Sequence, residues 1–263
     1  MPTASQLAIW LDDELSSRGF PDYPGALNGL QLDHGGPVRR IAAAVDFSRR
    51  TIDAVIAADA NFLILHHGMF WGGAQRLVGS SYERLRLLMS HDIAVYASHL
   101  PLDAHLTHGN NAGLARALGL EPTDRFGAYE GVPIGVAGES DVATRVLLAR
   151  ADAFARALGG AARASEWSEA HSSDAERHTR RWAVLTGAGA GSREIREAQE
   201  RGIDTLIVGE GPHHTTVDAP EAGVVIIYAG HYATETLGVR ALADTVSARF
   251  EIPSVFLHLP TGS

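Results

Sequence analysis

Histidines and carboxylates follow several apolar runs of the sequence, at points where buried strands would end. The run FLIL leads into the adjacent His66 and His67. The run AVYAS leads into His99, and Asp103 follows four positions later. Two later runs, TLIVG and VVIIYAG, are followed by Glu210, His213, His214, His231 and Glu235. Imidazole and carboxylate groups bind divalent metal ions, and histidine also transfers protons near neutral pH.

Each of these groups has an ordinary explanation when it stands alone. For the HHG motif, that explanation is one histidine in the core and one in solvent, because adjacent strand residues point to opposite faces. Asp103 could cap a helix, and the four-residue spacing of His231 and Glu235 is common on a helix face, although it can also hold a metal ion. Taken together, the groups offer more ligands than one four-coordinate ion needs, which favours two ions.

The composition excludes several classes of protein. The 263 residues carry a formal net charge of -9, which gives no electrostatic footprint for nucleic acid or an anionic membrane. No window approaches the roughly 20 apolar residues of a membrane-spanning helix. The N-terminus MPTASQLAIWLDDEL lacks the basic start of a signal peptide, and there is no cysteine. We therefore expect a cytoplasmic protein without a membrane or nucleic-acid partner, whose metal ligands are nitrogen and oxygen atoms.

Strands and helices alternate along the chain, which predicts an α/β fold with mostly parallel sheets covered by helices. Strands are predicted at RRIAAAVDF, NFLILHH and IAVYASH. Helices are predicted at SQLAIWLDDELS, with Ser5 as N-cap, and at SRRTIDAVIAADA, with Ser48 as N-cap. In such sheets ligands collect beyond the carboxyl ends of the strands. The alternation would therefore bring His66, His67 and His99 to one edge.

The middle of the chain changes character. Residues 121–140 are predicted to form loops and short strands, and residues 165–180 a polar, exposed loop with His171 and His178 in solvent. The later loop TGAGAGS could cradle a phosphate, but a tight turn between a strand and a helix is favoured because no GK[ST] follows.

These changes in composition and in the predicted pattern of strands and helices predict two domains. The first comprises residues 1–121 and 232–263 and carries most of the candidate metal ligands. The second comprises residues 122–231. A chain of this length can form one large core or two smaller ones.

Five motifs occur in a fixed order: NGLQ, HHGMFW, SHLPLDAH…GNN, GE…HH and AGHYATE. On these motifs the chain resembles the Nif-three-like dinuclear-metal family, known in many genomes as GTP cyclohydrolase 1 type 2 homologues, in its short bacterial form. The resemblance implies a Nif-three-like fold of two interwoven α/β domains. It also implies two divalent ions per chain, of zinc, iron or manganese, and a toroidal homohexamer.

The resemblance also assigns roles to residues. The metal ligands that it implies are His66, His67, Asp103, His231 and Glu235. The second histidine pair of the family matches His213 and His214, which become candidates for proton transfer at the site. Candidates for binding a substrate are Asn28, Gln31 and Glu210.

Two functions are consistent with such a site. The first is a metal-dependent hydrolase that acts on a nucleotide or related small molecule, of GTP cyclohydrolase or phosphoesterase type by resemblance. The alternative is a non-catalytic protein of the same hexameric form that binds metal, delivers it or serves as an interaction hub. An open coordination position would favour catalysis, and a closed shell would favour a structural ion.

Overall fold

The computed structural model describes the chain in three stretches, residues 1–73, 75–166 and 177–262. The chain forms two compact units. The first is built from the two segments Met1–Leu102 and Thr236–Leu259. The second is built from Asp103–Glu235 and Pro260–Ser263.

The first unit contains a five-stranded sheet. Its strands are β1 (Gly29–Leu32), β2 (Ile41–Asp46), β3 (Phe62–His67), β4 (Ala94–Ala97) and β11 (Ser254–Phe256). Its helices are α1 (Ala4–Glu14), α2 (Arg49–Ala57), α3 (Ser80–Ser90) and α10 (Thr236–Phe250), and α4 (Leu100–Ala104) crosses the unit boundary. The strand order is β1-β4-β3-β2-β11, in which β1 is antiparallel to β4 and the other neighbours are parallel.

The centre of this sheet is buried on both faces. In β3 every residue from Phe62 to His66 is buried, which is why its sequence is a continuous apolar run rather than an alternating one. Because β2, β3 and β4 run parallel, their carboxyl ends lie at one edge of the sheet. At that edge β2 ends with Asp46 and β3 ends with His66 and His67.

Helix caps set where two helices of this unit begin. The prediction for α2 is confirmed, since the Ser48 hydroxyl accepts a hydrogen bond from the Thr51 amide. The prediction of Ser5 as the cap of α1 is wrong. Thr3 caps this helix through a capping box in which its hydroxyl accepts from the Gln6 amide, while the Gln6 side chain accepts from the Thr3 amide. The reciprocal bonds satisfy two backbone donors, which Ser5 cannot do from inside the helix.

The second unit contains a six-stranded mixed sheet. Its strands are β5 (Asp124–Tyr129), β6 (Val132–Ala143), β7 (Arg163–Ala164), β8 (His178–Leu185), β9 (Thr205–Val208) and β10 (Val225–Tyr228). Its helices are α5 (Asn110–Ala117), α6 (Thr144–Ala157), α7 (Ser192–Glu200), α8 (Thr215–Glu221) and α9 (His231–Thr234). The order is β5-β6-β8-β9-β10-β7, in which β8, β9 and β10 are parallel to one another. The predicted α/β class is confirmed.

The segment predicted as an exposed polar loop at 165–180 differs in part from that expectation. Its residues 167–176, with His171, lie outside the described residues. His178 begins β8, where it pairs in register with Ala143, and its Nδ1 lies 2.6 Å from Asp141 Oδ1. His178 is therefore a strand residue with a carboxylate neighbour rather than a solvated loop residue.

The unit boundaries differ from the expected ones near 121 and 232. Helix α5 contacts β6 and β8, and α9 contacts α5 and α6, so the residues that carry α5 and α9 belong to the second unit. The first segment of the first unit therefore ends at Leu102, and its second segment begins at Thr236.

None of the helices in the described stretches is long and apolar enough to cross a membrane. The 15 residues of α10 fall short of the roughly 20 that a bilayer requires.

Candidate functional site

Three imidazoles meet at the carboxyl edge of the first sheet. The ring of His66 lies 4.8 Å from that of His67 and 4.9 Å from that of His99, and the last two rings are 5.7 Å apart. One ring nitrogen of each residue lies within 4.8 Å of the others. His66 and His99 are buried, while 14% of the His67 side chain is exposed. This imidazole cluster is a donor set that suits a divalent ion.

Two of these imidazoles have a fixed orientation. Nδ1 of His66 lies 3.0 Å from the Ser98 carbonyl oxygen, and Nδ1 of His67 lies 2.8 Å from Asp46 Oδ1. Asp46 and His67 are register partners in β2 and β3, so their side chains stand on the same face. Because each oxygen can only accept, Nδ1 carries the hydrogen and Nε2 of the neutral ring keeps its lone pair. Metal-binding histidines are usually held in this way.

The third imidazole is held by a buried carboxylate. Nδ1 of His99 lies 2.7 Å from Asp22 Oδ1, while Asp22 Oδ2 accepts from Asn28 Nδ2 at 2.8 Å and from the Leu100 amide at 2.9 Å. Burial raises the pKa of Asp22, but the hydrogen bonds and charge of His99, with the other two donors, outweigh burial and lower it. Asp22 is therefore ionised at neutral pH and holds the hydrogen of His99 on Nδ1.

The candidate substrate residues of the first unit have structural partners. Asn28 donates to Asp22 and accepts from the His99 amide at 2.8 Å. Gln31 accepts from the Met69 amide at 2.6 Å, and a side chain at Gly68 would overlap the Gln31 amide. These two residues therefore fix His99 and the start of the loop that follows His67.

An exposed aromatic pair borders the imidazole cluster. The indole of Trp71 lies 4.6 Å from the His99 ring and 5.1 Å from the His67 ring, and the Tyr23 ring lies 6.2 Å from Trp71. Trp71 is 43% exposed and Tyr23 is 50% exposed. The pair thus shields the imidazoles while it presents apolar surface to solvent.

In the second unit, His231 lies between two carboxylates. Its Nδ1 is 2.8 Å from Glu210 Oε1, and its Nε2 is 3.1 Å from Glu235 Oε2. Glu235 is buried, whereas half of the Glu210 side chain is exposed. Burial lowers the pKa of His231, but the hydrogen bonds and charges of Glu235 and Glu210 outweigh it and raise the pKa to about 9. A metal ion that binds the ring of this His231 group (His231, Glu210 and Glu235) must displace a proton into solvent, and Glu210 is a positioning residue for the imidazole.

Asp103 is fixed in a buried polar network of the second unit. Its Oδ1 accepts from Asn110 Nδ2 at 2.8 Å and from the Thr186 hydroxyl at 3.3 Å. Its carbonyl accepts from Asn111 Nδ2 at 3.0 Å, and Asn111 Oδ1 accepts from the Thr186 amide at 2.7 Å. The predicted alternative of a helix cap does not describe this residue, which lies inside α4.

The glycine loop after β8 holds Glu235 in place. Gly187 has a φ of +62°, its amide donates to the Thr234 hydroxyl at 3.1 Å, and a side chain here would overlap Glu235 Oε1. At the end of the loop a side chain on Gly191 would meet Glu194 Oε2 at 2.6 Å, so a carboxylate occupies the N-terminus of α7. The loop is a tight turn that supports the His231 group, which agrees with the interpretation favoured from the sequence.

His213 and His214 lie at the start of α8, where both are exposed. Nε2 of His214 is 3.2 Å from the Ser192 hydroxyl. The His213 carbonyl accepts from the Thr216 hydroxyl at 2.6 Å. Their exposure leaves both imidazoles open to a solvent-borne ligand.

Comparison with known proteins identifies the family. Residues 21–261 match the family model described as Duf34/NIF3 (NGG1p interacting factor 3). The chain belongs to the Duf34/NIF3 family. This result confirms the resemblance expected from the five sequence motifs.

Similar proteins include two relatives named GTP cyclohydrolase 1 type 2 homolog. The relative from Deinococcus radiodurans is 40% identical over 264 residues, which cover 98% of this chain and 93% of the relative. The relative from Pyrococcus abyssi is 39% identical over 258 residues, which cover 98% of both chains. The crystal structure of TTHA1606 from Thermus thermophilus covers 100% of both chains at 33% identity, with a TM-score of 0.81. The Duf34/NIF3 fold is thus shared along the whole chain.

Three residues at this candidate site lie outside the ligand and substrate sets expected from sequence. His99 followed a strand, but the family motifs did not include it among the ligands. Asp46 could have been found as the last residue of an apolar run beside the HHG strand. Asp22 could not, because it lies in an irregular loop 77 positions before its partner.

Replacing Asp46 by asparagine is expected to weaken metal binding by this Duf34/NIF3 chain by about 10- to 100-fold. The change removes the charge that favours hydrogen on Nδ1 of His67. Asp53→Asn is the matched control, because Asp53 pairs with Arg49 on the surface of α2 and is 54% exposed. Metal retained after dialysis against graded chelator measures the effect, and equal retention by the two variants would contradict it.

Replacing Gly187 by alanine is expected to displace Glu235 and reduce the metal content. A left-handed alanine costs about 1–2 kcal/mol of stability by itself. Gly131→Ala controls for that cost, because Gly131 has a φ of +84° and a side chain there would meet nothing within 4 Å. The Gly187 variant should lose at least as much thermal stability as the control, because it adds the overlap with Glu235 to the backbone cost, and it alone should lose metal. Equal metal content in the two would show that Glu235 does not depend on this glycine.

Proposed function

We propose that the chain binds two divalent metal ions and uses them to hydrolyse a nucleotide or related small molecule. The ligands in this proposal are His66, His67, Asp103, His231 and Glu235, the set that the family motifs imply. The observation that carries it is the orientation of the imidazoles, since in four of them Nδ1 lies 2.7–3.0 Å from a carbonyl or carboxylate oxygen. Three of these rings can offer Nε2 directly, while His231, whose Nε2 lies 3.1 Å from Glu235, must first lose a proton.

The donor set fits such ions. Neutral imidazole and carboxylate are ligands of zinc, iron and manganese, and the chain has no cysteine that would favour softer ions. A divalent ion at these donors would supply Lewis-acid chemistry, because it polarises substrate oxygens and lowers the pKa of a water molecule towards about 7. His99 offers the same geometry as the proposed ligands, and we include it as a further donor.

Other residues of the chain would position the metal ligands or transfer protons. Glu210 and Asp46 orient imidazoles, while Asn28 and Gln31 fix the loops that carry them. His213 and His214 are exposed, and we propose that one of them moves a proton between substrate and solvent. The direction towards nucleotides comes from the printed name of the relatives, GTP cyclohydrolase 1 type 2 homolog.

The test combines metal analysis with a substrate screen. Elemental analysis of gently purified protein should give about two divalent ions per chain. The loaded protein should turn over GTP or a generic phosphodiester, and His66→Ala should abolish turnover together with metal binding. Activity that survives complete removal of metal would refute the mechanism. Full loading without turnover on any nucleotide or phosphoester would favour the alternative of a non-catalytic metal-binding or metal-delivery protein.

We also propose that the chain forms a homohexamer, which rests on the family resemblance. Six chains of 28.0 kDa would give a particle of about 168 kDa. Light scattering over a wide concentration range measures the mass. A constant mass of 28.0 kDa would contradict the assembly.

A further inference from the structure

A pocket opens in the first unit beside the elements that carry the imidazole cluster. Its cavity volume is about 160 Å³, and it is open to solvent. Its wall includes Leu32, Phe47, Met69, Phe70, Arg84 and Leu85. All of these except the arginine are apolar, and all are partly exposed. Gln31, Gln75 and Ser81 add polar side chains, so the pocket is an open, largely apolar recess with one cation among its lining residues.

The cation in this recess is poorly satisfied. The Arg84 guanidinium lies 5.5 Å from the Phe47 ring centre, and Nη2 lies 3.4 Å from the Ser81 hydroxyl, at the long limit of a hydrogen bond. Its Nε is buried and has no hydrogen-bond partner among the described residues. By contrast, Arg86 on the same helix pairs with Glu83 at 2.9 Å in solvent. The buried Nε is thus a donor that an anion in the recess could satisfy, as a charge-assisted hydrogen bond.

The recess shares its backbone with the imidazole cluster. Phe47 follows Asp46 directly, and its amide donates to the His67 carbonyl at 3.1 Å. Met69 and Phe70 follow His67 after one glycine, and Gln31 holds the Met69 amide. A ligand in the recess would therefore rest on the same two chain segments that position His67 and its carboxylate.

We propose that this recess binds an aromatic organic anion, a planar ring that carries a carboxylate, sulfonate or phosphate. The anionic group pairs with Arg84, and the ring packs against Phe47, Phe70 and Met69. Aromatic and thioether side chains favour contact with a planar ring over an aliphatic chain. The proposal rests on the proposed function for the claim that the anion is a substrate of the adjacent site. Binding itself requires no metal.

The experiment compares two probes that share a ring and differ in charge. Naphthalene sulfonate and naphthalene methanol are titrated by calorimetry into the full chain, both metal-free and metal-loaded. Wild-type protein should bind the sulfonate at least about 10-fold more tightly than the alcohol, as expected for a hydrogen bond to a charged group. Arg84→Gln should remove this preference and leave the affinity for the alcohol unchanged. The matched control Arg86→Gln should behave as wild type.

Several outcomes would overturn the proposal. These are absence of sulfonate binding, equal binding of sulfonate and alcohol by the wild type, and equal effects of Arg84→Gln and Arg86→Gln. If Arg84→Gln fails to fold, Phe70→Ala replaces it and should weaken both probes. Failure of the proposed function gives a different result, because a protein without metal or turnover would still bind the sulfonate through Arg84.

Discussion

Replacing His67 by alanine should leave the purified protein with little bound metal, with an affinity reduced by more than about 100-fold. Loss of an outer partner of a metal ligand typically costs 10–100-fold, and loss of the ligand itself should exceed that. His67 brings one imidazole of the cluster, and its Nδ1 lies 2.8 Å from Asp46. Elemental analysis after dialysis and competition with a chromogenic chelator would both report the loss.

The control for this variant is another histidine with the same local chemistry. Nδ1 of His178 lies 2.6 Å from Asp141, so His178→Ala also removes an imidazole that is held by an aspartate. His178 lies in a strand of the second unit and is not among the proposed ligands. The control should keep its full metal content, and thermal unfolding should show both variants folded. Loss of metal by the control with retention by His67→Ala would show that the metal lies elsewhere.

Metal binding should strengthen by about tenfold per pH unit as the pH rises from roughly 6.5 to 9. The cause is His231, whose pKa in the metal-free protein is about 9, so that a metal ion must displace a proton from the ring at neutral pH. Calorimetry in buffers of different ionisation enthalpy would count the released protons. An affinity that stays flat over this range would contradict the prediction.

His231 should also make the stability of the metal-free protein depend on pH, but here the stability should fall as the pH rises. Because folding raises the pKa of His231 from its ordinary value of 6.5 to about 9, its contribution is complete below about pH 6.5 and is lost as the pH rises through 9. The full difference corresponds to about 3 kcal/mol of unfolding free energy. Glu210→Gln should lower the pKa of His231 and so narrow the pH range over which the stability is lost. Nuclear magnetic resonance of the ring protons would measure this pKa. A His231 that titrates near 6.5 in both proteins would refute the assignment.

The strands that carry the first imidazoles could be predicted from sequence because their signal is local. A central parallel strand buried on both faces needs a continuous apolar run, and FLIL before His66 and His67 is such a run. The cap of α1 was less predictable, since Thr3 and Ser5 both suit a cap. The reciprocal bond from Gln6 decides between them.

The carboxylates behind the imidazoles could be predicted less well. Asp46 follows from the register of two neighbouring strands, which requires knowing that β2 pairs with β3. Asp22 depends on the path of an irregular loop, which no periodic pattern encodes. The boundary at Leu102 could not be predicted for a similar reason. In the sequence, α5 looks like one more helix in the alternation of strands and helices of the first unit. Its contacts with β6 and β8 place it in the second unit.

The orientation of the histidines has a consequence for protein engineering. An HHG tripeptide grafted onto a strand of another protein would carry two imidazoles with it, but neither the carbonyl of Ser98 nor the carboxylate of Asp46. Its rings could then adopt either tautomer and rotate, and affinity would be lost to disorder rather than to missing ligands. A graft that keeps the acceptors of His66 and His67 must include all three parallel strands β2, β3 and β4, because Asp46 lies in the first and Ser98 follows the last.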